Sequence, residues 1–349
     1  MASMMKAVTF HEHGGVERLR YEEVPRPSLG PHEVLIRVKA CALNHLDIWI
    51  RQGIPAYRIN LPHISGSDVS GVIEEVGEAC EDGLVPGQAV FVAPGLSCWR
   101  CEACLAGQET YCDKYRILGA QIDGGYAEFV KVPAINVLPL PAGLTFEQAA
   151  AFPLVSLTAW HMVMTLAQVK PGESVLVLGA GSGVGSMAIQ IANLVGARVF
   201  TTVGDQEKAA KAQMLGAIAV LNHSHDDLIH GLKEFTNGRG VDVVIEHIGQ
   251  AVWSQCIRAL AKGGRLVTCG ATTGSDLTLD ARYLFSRQLK IMGSYMGTRS
   301  ELLAVTRLIG AGKLRPVIDA VFPLSRAREA QERLLSRKVF GKVLVIPPD

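Results

Sequence analysis

The chain has 349 residues, 48% hydrophobic and 19% charged, which predicts a globular protein of about two domains. Lys and Arg number 34 against 33 Asp and Glu, a formal net charge of +1, so neither nucleic acid nor a membrane surface is an expected partner. No apolar stretch approaches the about 20 residues of a spanning helix.

Met1–Lys6 lacks the basic start and apolar run of a signal peptide, and the expected location is the cytoplasm. Met4-Met5-Lys6 reads as the natural beginning, with Met1–Ser3 an alternative start or a cloning remnant. Residues 5–150 then carry short β-branched runs, among them Val34–Val38, Val69–Val76 and Gln88–Val92. Turn signals such as Pro25-Arg26-Pro27, Leu29-Gly30-Pro31 and Pro86-Gly87 separate them, as in a small, barrel-like β module. Phe146–Ala167 reads as a helix kinked or divided at Pro153. A strand, Ser174–Leu178, enters the glycine run Gly179–Gly185. A helix over Ser186–Val195 and a strand over Arg198–Val203 follow. Val241–Glu246, Arg265–Cys269 and Leu289–Gly293 are further strands with helical stretches between them. This alternation predicts an α/β doubly wound parallel sheet. The last strand, Lys342–Ile346, is expected to return to the first module. The division is therefore 1–153, 154–293 and 294–349, without internal repeats or low-complexity stretches.

Four of the eight cysteines, Cys98, Cys101, Cys104 and Cys112, follow the pattern C-x2-C-x2-C-x7-C. In a reducing compartment such a cluster suggests metal ligation rather than disulfides. Four thiolates can close a tetrahedron around one structural Zn2+, leaving no position open to substrate. An iron–sulfur cluster is the runner-up.

Gly179, Gly181, Gly183 and Gly185 fall where a strand becomes a helix. Glycine there lets the backbone turn tightly and approach a pyrophosphate at the helix N-terminus. The spacing departs from G-x-G-x-x-G, because Val184 takes the place of a glycine. An NAD site usually carries an acidic residue at the end of the second strand, for the ribose 2′-hydroxyl. Val203 or Gly204 occupies that position, leaving room for a 2′-phosphate that Lys208 could neutralise. Asp205 argues the other way. NADP(H) is favoured over NAD(H).

With these residues the chain resembles the medium-chain dehydrogenase/reductase superfamily over essentially its whole length. The marks are Met5–Val8, Gly66–Val72, the cysteine lobe, Gly124–Glu128, Ala149–Leu154 and Gly179–Gly185. The resemblance implies a GroES-like, β-rich catalytic domain with an inserted Rossmann domain, and an active site in the cleft between them. It also implies a homodimer or homotetramer joined through the sheet edge near Leu289–Tyr295. The expected cofactor contacts are Thr158, Gly179, Gly181, Ser182, Gly183, Val184, Thr202, Gly204, Lys208, His247, Cys269, Gly270, Gly293 and Tyr295.

Zinc alcohol dehydrogenases of this superfamily hold a catalytic Zn2+ with a Cys, a His and a later Cys. Those positions align here with Asn44, Ser67 and the neighbourhood of Leu154, so all three ligands are absent. Asn44 and Asp47, with Gly66-Ser67-Asp68, are similar to the quinone oxidoreductase branch. The cysteine lobe, which that branch often lacks, makes this chain a hybrid of the two patterns.

Without a metal to receive charge, the substrate should spread it, as a conjugated carbonyl or a quinone does. The expected reaction is hydride transfer from NADPH to an activated C=C bond or a quinone. Asn44 would donate to the developing oxyanion, His45 would supply the proton, and Asp47 completes the catalytic set. Trp49 and Tyr57 would shape the pocket. Asn44 and Asp47 also suit a role fixing the local backbone, His45 a structural role, and Asp68 pairing with a cation. Two other classes stay open. One is a zinc alcohol dehydrogenase with non-standard ligands drawn from Cys41, His45, His63 and Asp68. The other is a non-catalytic NADPH-binding protein.

Overall fold

A computed structural model describes residues 3–55, 57–80 and 83–348. Met1 and Ala2, of the segment Met1–Ser3 expected as an alternative start or a cloning remnant, lie outside the described residues. In chain order the first elements are β1 (Met4–Phe10), β2 (Arg20–Pro25), β3 (Glu33–Ala42), α1 (His45–Gln52), β4 (His63–Ile64) and β5 (Asp68–Val76). Next come β6 (Ala89–Val92), β7 (Gly95–Leu96), α2 (Glu102–Leu105), β8 (Arg116–Ile117), β9 (Phe129–Pro133), β10 (Val137–Pro139), α3 (Phe146–Ala150) and α4 (Pro153–Trp160). The nucleotide-type region holds β11 (Ser174–Val177), α5 (Gly183–Leu194), β12 (Arg198–Val203), α6 (Gln206–Met214), β13 (Ala219–Asn222) and α7 (Leu228–Phe235). It continues through β14 (Val241–Glu246), α8 (Gln250–Ala259), β15 (Leu260–Thr268), α9 (Ala281–Ser286), β16 (Lys290–Gly293) and α10 (Arg299–Gly310). The chain ends in β17 (Ile318–Pro323), α11 (Ala327–Leu335) and β18 (Lys342–Ile346).

These elements form two compact units, Met1–Leu154 with Pro316–Asp349, and Val155–Arg315. The return to the first unit thus begins at residue 316, not at 294 as the sequence pattern suggests. The reason is α10. Its Glu301 bonds His161 and Thr165 of the second unit, and beyond the helix Arg315 exchanges two hydrogen bonds with Gln190, at 3.0 and 3.1 Å.

In the first unit a three-stranded sheet runs β2-β1-β4, and a seven-stranded sheet follows β10-β6-β5-β3-β18-β17 with β9 also on β3. β3 is the hub, pairing antiparallel with β5, β9 and β18. Paired on both edges, it is buried over most of its length, and its Val, Ile and Ala residues suit a surface covered on both faces. Small side chains let α3 sit close: Ala40, Ala42, Ala150 and Ala151 pack with Leu344. The helix expected over 146–167 is divided. α3 ends at Ala150, Pro153 opens α4 at a first-turn position where its missing N–H is harmless, and a π-helical stretch covers His161–Leu166.

The second unit is an all-parallel sheet in the order β13-β12-β11-β14-β15-β16. Counted from β11 this is 3-2-1-4-5-6, the doubly wound order whose direction reverses between β11 and β14. Leu176, Phe200, Val244, Trp253 and Leu266 lie in its core. Ligands of such sheets bind beyond the carboxyl ends of the strands at that reversal, where the glycine run and His247 stand. No helix among the described residues is long and apolar enough to cross a membrane.

Candidate functional site

The glycine loop is shaped by close backbone approach. Gly179 has φ +63°, and a Cβ at Gly185 would stand 2.2 Å from the Gly179 carbonyl oxygen. Ser182 caps α5: its Oγ accepts from Gly185 N–H at 2.8 Å and lies 2.7 Å from His247 Nε2. The Ser182 hydroxyl and His247 Nε2 share this bond, and burial holds the His247 pKa down to about 4, which favours the neutral ring. Thr202 Oγ1, on β12, accepts from Gly179 N–H at 3.0 Å. Next to His247, the buried Glu246 carboxylate closes the loop after β14, accepting from Gly249 N–H at 2.6 Å and Thr268 Oγ1 at 2.7 Å.

The structure thus joins Gly179, Ser182, Thr202 and His247 in one bonded cluster. Gly270 belongs beside it, since a Cβ there would meet the His247 carbonyl oxygen at 2.8 Å. Gly181, Gly183 and Val184 complete the loop and the first turn of α5. Thr158 is buried on α4, and Gly293 and Tyr295 lie at and just beyond the end of β16, with Tyr295 exposed. Cys269 follows β15, its thiol pushed up to about 12 by burial and by Glu246. Gly204 is exposed, and a Cβ there would meet only the His223 ring at 3.5 Å. Asp205 caps α6 by accepting from Lys208 N–H at 2.8 Å, and the Lys208 ammonium lies 3.8 Å from the same carboxylate. A loop that only glycine can form, at a helix N-terminus, fits a dinucleotide pyrophosphate.

In the first unit the Sγ atoms of Cys98, Cys101, Cys104 and Cys112 all lie within 4.8 Å of one another, with Cys98 and Cys104 at 3.9 Å. A tetrahedral ion with Zn–S bonds of about 2.3 Å needs sulfurs about 3.8 Å apart, so the set fits one zinc. The backbone N–H groups of Arg100 and Cys101 bond the Cys98 sulfur and help pull its pKa down to about 6, favouring the thiolate.

The third centre surrounds Asn44. Asn44 precedes α1, and Asp47, one turn in, reaches back to accept from Asn44 N–H at 2.7 Å. The Asp47 carboxylate also accepts from the Tyr126 hydroxyl at 3.0 Å and from Gly66 N–H at 3.2 Å, and it is fully buried. Burial outweighs these bonds and pushes its pKa up to about 6. Asp47 therefore has no free face for substrate. Its bonds and burial are those of the second role the sequence allowed it, holding the backbone at Asn44 and Gly66. Arg51, four residues on, is buried on the same helix and donates to Gln331 Oε1 at 2.9 Å and to the Gly14 carbonyl, tying α1 to α11. His45 and Trp49 share another, half-buried face, their ring centroids 6.3 Å apart.

Asn44 Nδ2 donates to Asp68 Oδ2 at 2.9 Å, and Lys342 Nζ donates to Asn44 Oδ1 at 2.6 Å and to Asp68 Oδ2 at 3.0 Å. Asp68 Oδ1 accepts from Leu154 N–H at 2.7 Å. The expected cation partner of Asp68 is thus Lys342, a residue that the sequence did not single out. Its signal was a lysine opening the apolar strand 342–346. The Ser65 and Ser67 hydroxyls are buried without hydrogen-bond partners among the described residues.

An amide, an unpaired hydroxyl and a leucine around an Asp–Lys pair do not make the thiolate and imidazole set of a catalytic zinc. Nor are Cys41, His45, His63 and Asp68 assembled as substitutes. Among the described residues the four lobe cysteines are the only group of three or more metal-type ligands. His63 instead donates from Nε2 to the Gly119 carbonyl at 3.1 Å, and its Nδ1 faces Asp123 at 3.3 Å.

Comparison with known proteins agrees with this layout. Residues 30–142 match the alcohol dehydrogenase GroES-like domain, and residues 183–311 match the zinc-binding dehydrogenase family. The chain is 34% identical to a Saccharolobus solfataricus protein called NAD-dependent alcohol dehydrogenase, covering 98% of this chain and 100% of that one. It is 31% identical to a Homo sapiens quinone oxidoreductase, over 98% of each. A solved structure of an NAD-dependent alcohol dehydrogenase superposes with a TM-score of 0.94 at 46% identity, covering 98% of this chain and 99% of that one. The fold, the glycine loop and these relatives agree: the chain belongs to the medium-chain dehydrogenase/reductase superfamily of oxidoreductases.

Proposed function

We propose that this chain is an NADPH-dependent reductase of activated C=C bonds or quinones that works without a catalytic zinc. The observation that carries the reading is the donor set at positions 44, 67 and 154, where amide, hydroxyl and leucine stand around the Asp68–Lys342 pair. A bound reduced nicotinamide supplies the hydride. Position 44 can then offer only an N–H donor to the growing negative charge, so a substrate that delocalises its own charge suits the site best. His45, half-buried on the outer face of α1, is the proton source for the enolate or phenolate. Small residues at 203 and 204 and the use of Asp205 as a helix cap support room for a 2′-phosphate.

The cysteine lobe would hold one structural zinc, since its four sulfurs are spaced for a single tetrahedral ion. The unpaired edge of β16, with Phe285 70% and Tyr295 45% exposed nearby, suits a contact with a second copy in a homo-oligomer. Free thiols throughout suit a reducing compartment such as the cytoplasm.

The test is steady-state turnover of an enone and a benzoquinone with NADPH and with NADH, beside oxidation of primary and secondary alcohols with NAD+. Enone or quinone turnover should exceed alcohol oxidation. The relatives named NAD-dependent alcohol dehydrogenase favour a second reading, alcohol–carbonyl conversion with NAD, and faster alcohol oxidation would establish it. Tight NADPH binding with no turnover on any of these substrates would instead favour a non-catalytic binding protein.

A further inference from the structure

The Asn44 amide is held by two partners of opposite chemistry. The Lys342 ammonium can only donate and the Asp68 carboxylate, when ionised, can only accept. Oδ1 must therefore face Nζ, at 2.6 Å, and Nδ2 must face Asp68 Oδ2, at 2.9 Å. The flipped amide would set NH2 against an ammonium and C=O against a carboxylate. Asp68 is itself clamped, its other oxygen accepting from Leu154 N–H at 2.7 Å. All three side chains are buried, Asp68 at 0%, Lys342 at 4% and Asn44 at 7% exposure, where water screens charge least.

Lys342 is delivered by a glycine-dependent turn. Gly341 has φ +107°, a Cβ there would stand 2.4 Å from the Val317 carbonyl oxygen, and Lys342 N–H bonds that same oxygen at 2.8 Å. β18 then pairs with β3 through Leu344 and Ala42, two residues before Asn44. The C-terminal strand thus sets an amide 298 residues earlier in the chain.

We propose that Lys342 is a positioning residue for reduction: it fixes the Asn44 amide and polarises it, so that the second Nδ2–H is presented as a strengthened donor to the developing oxyanion. The proposal rests on the reading of Asn44 as the group that meets that charge. A cation on Oδ1 draws electron density from the amide nitrogen and makes its remaining N–H more acidic.

The experiment compares wild type with Lys342→Met/Asp68→Asn, which removes both buried charges together and so avoids stranding one of them. In that protein the carboxamide NH2 introduced at position 68 can satisfy Asn44 Oδ1. Each background is also made with Asn44→Ala. kcat and KM are measured with NADPH and a cyclic enone. Binding of NADPH and of 4-nitrophenolate, a stable phenolate mimic of the oxyanion, is read separately.

The expected result is a kcat lower by about 100-fold, the usual effect of losing an oxyanion donor, with KM within about threefold of wild type. In the Asn44→Ala background the same double change lowers kcat by less than about threefold, because the two act as one unit. 4-Nitrophenolate binding weakens at least about tenfold while NADPH affinity holds. Equal losses of kcat in both backgrounds, or unchanged phenolate affinity in a folded variant, would overturn the proposal. If Lys342→Met/Asp68→Asn does not fold, Lys342→Gln/Asp68→Asn carries the test. It removes both charges but keeps polar partners at both positions, and wild-type kcat and phenolate affinity there would overturn the proposal equally. A wild-type protein with no enone or quinone turnover refutes the parent reading instead, and its phenolate binding still judges Lys342.

Discussion

Replacing Asp47 by Asn tests the buried network beneath α1. The carboxylate takes Asn44 N–H and the Tyr126 hydroxyl on Oδ2, at 2.7 and 3.0 Å, and Gly66 N–H on Oδ1, at 3.2 Å. Burial nonetheless raises its pKa from 3.8 to about 6. A rise of that size corresponds to about 3 kcal/mol between the two protonation states. The folded protein binds this proton more tightly than the unfolded chain does. The contribution to stability is therefore complete below about pH 4 and lost as pH rises through about 6. Asn at 47 does not titrate. It keeps an oxygen toward Asn44 and Tyr126, and its NH2 strands the Gly66 N–H at a fixed cost of about 1–3 kcal/mol. Urea unfolding of both proteins from about pH 5 to about pH 8 gives the difference between them, in which the other carboxylates cancel. The variant should gain on wild type by about 1.4 kcal/mol across that range. A difference independent of pH would refute the reasoning, and a variant that loses ground as pH rises would mean that the bonds, not burial, dominate.

Gly185→Ala puts a Cβ 2.2 Å from the Gly179 carbonyl oxygen, so the loop must open. NADPH affinity by fluorescence titration should fall more than about tenfold while the metal content of the protein stays as in wild type. Cys104→Ser removes one of four ligands, and metal analysis after chelator washing should drop from about one zinc per chain toward none. Retention of the full metal content would show that the lobe does not hold it. Gly204→Asp fits beside the His223 ring and brings a carboxylate to the end of β12. The ratio of kcat/KM for NADPH to that for NADH should fall by about 100-fold, and an unchanged ratio would place the discriminating contact elsewhere.

Five of the six parallel strands were legible because each is a short apolar run between turn signals, and β12 and β14 begin and end where the pattern does; the four-residue β13 was not read as a strand. The cysteine lobe was legible because its four ligands lie within fifteen residues and need only local folding. The boundary near 294 was not, since α10 looks like any amphipathic helix. What assigns it to the second unit is Glu301 bonding His161, 140 residues earlier. The role of Asp47 was half legible. Its spacing from Asn44 suits both chemistry and a backbone-fixing acceptor, and burial with the Tyr126 and Gly66 bonds favours the second. Lys342 was overlooked because β18 registers with β3 at Leu344 and Ala42, a pairing that no local pattern predicts.

The cysteine lobe and the Asn44 centre of the first unit differ in how far a substitution spreads. The lobe is closed on itself: its four sulfurs lie within fifteen residues of sequence and within 4.8 Å of one another. The Asn44 centre is assembled from the N-terminus of α1, β5, the start of α4 and β18, and it keeps a carboxylate at 68 that is wholly buried. A buried carboxylate without a cation would be strongly destabilising. Where no metal answers that charge, a side chain must. Lys342 does so at 3.0 Å, and the same ammonium then fixes which way the Asn44 amide faces. The ammonium that answers the buried Asp68 carboxylate is for this reason the group that orients the Asn44 amide. A change at Lys342 therefore alters the charge balance of Asp68 and the orientation of the Asn44 amide together, because one ammonium bonds both, whereas the cysteine cluster shares no residue with this centre.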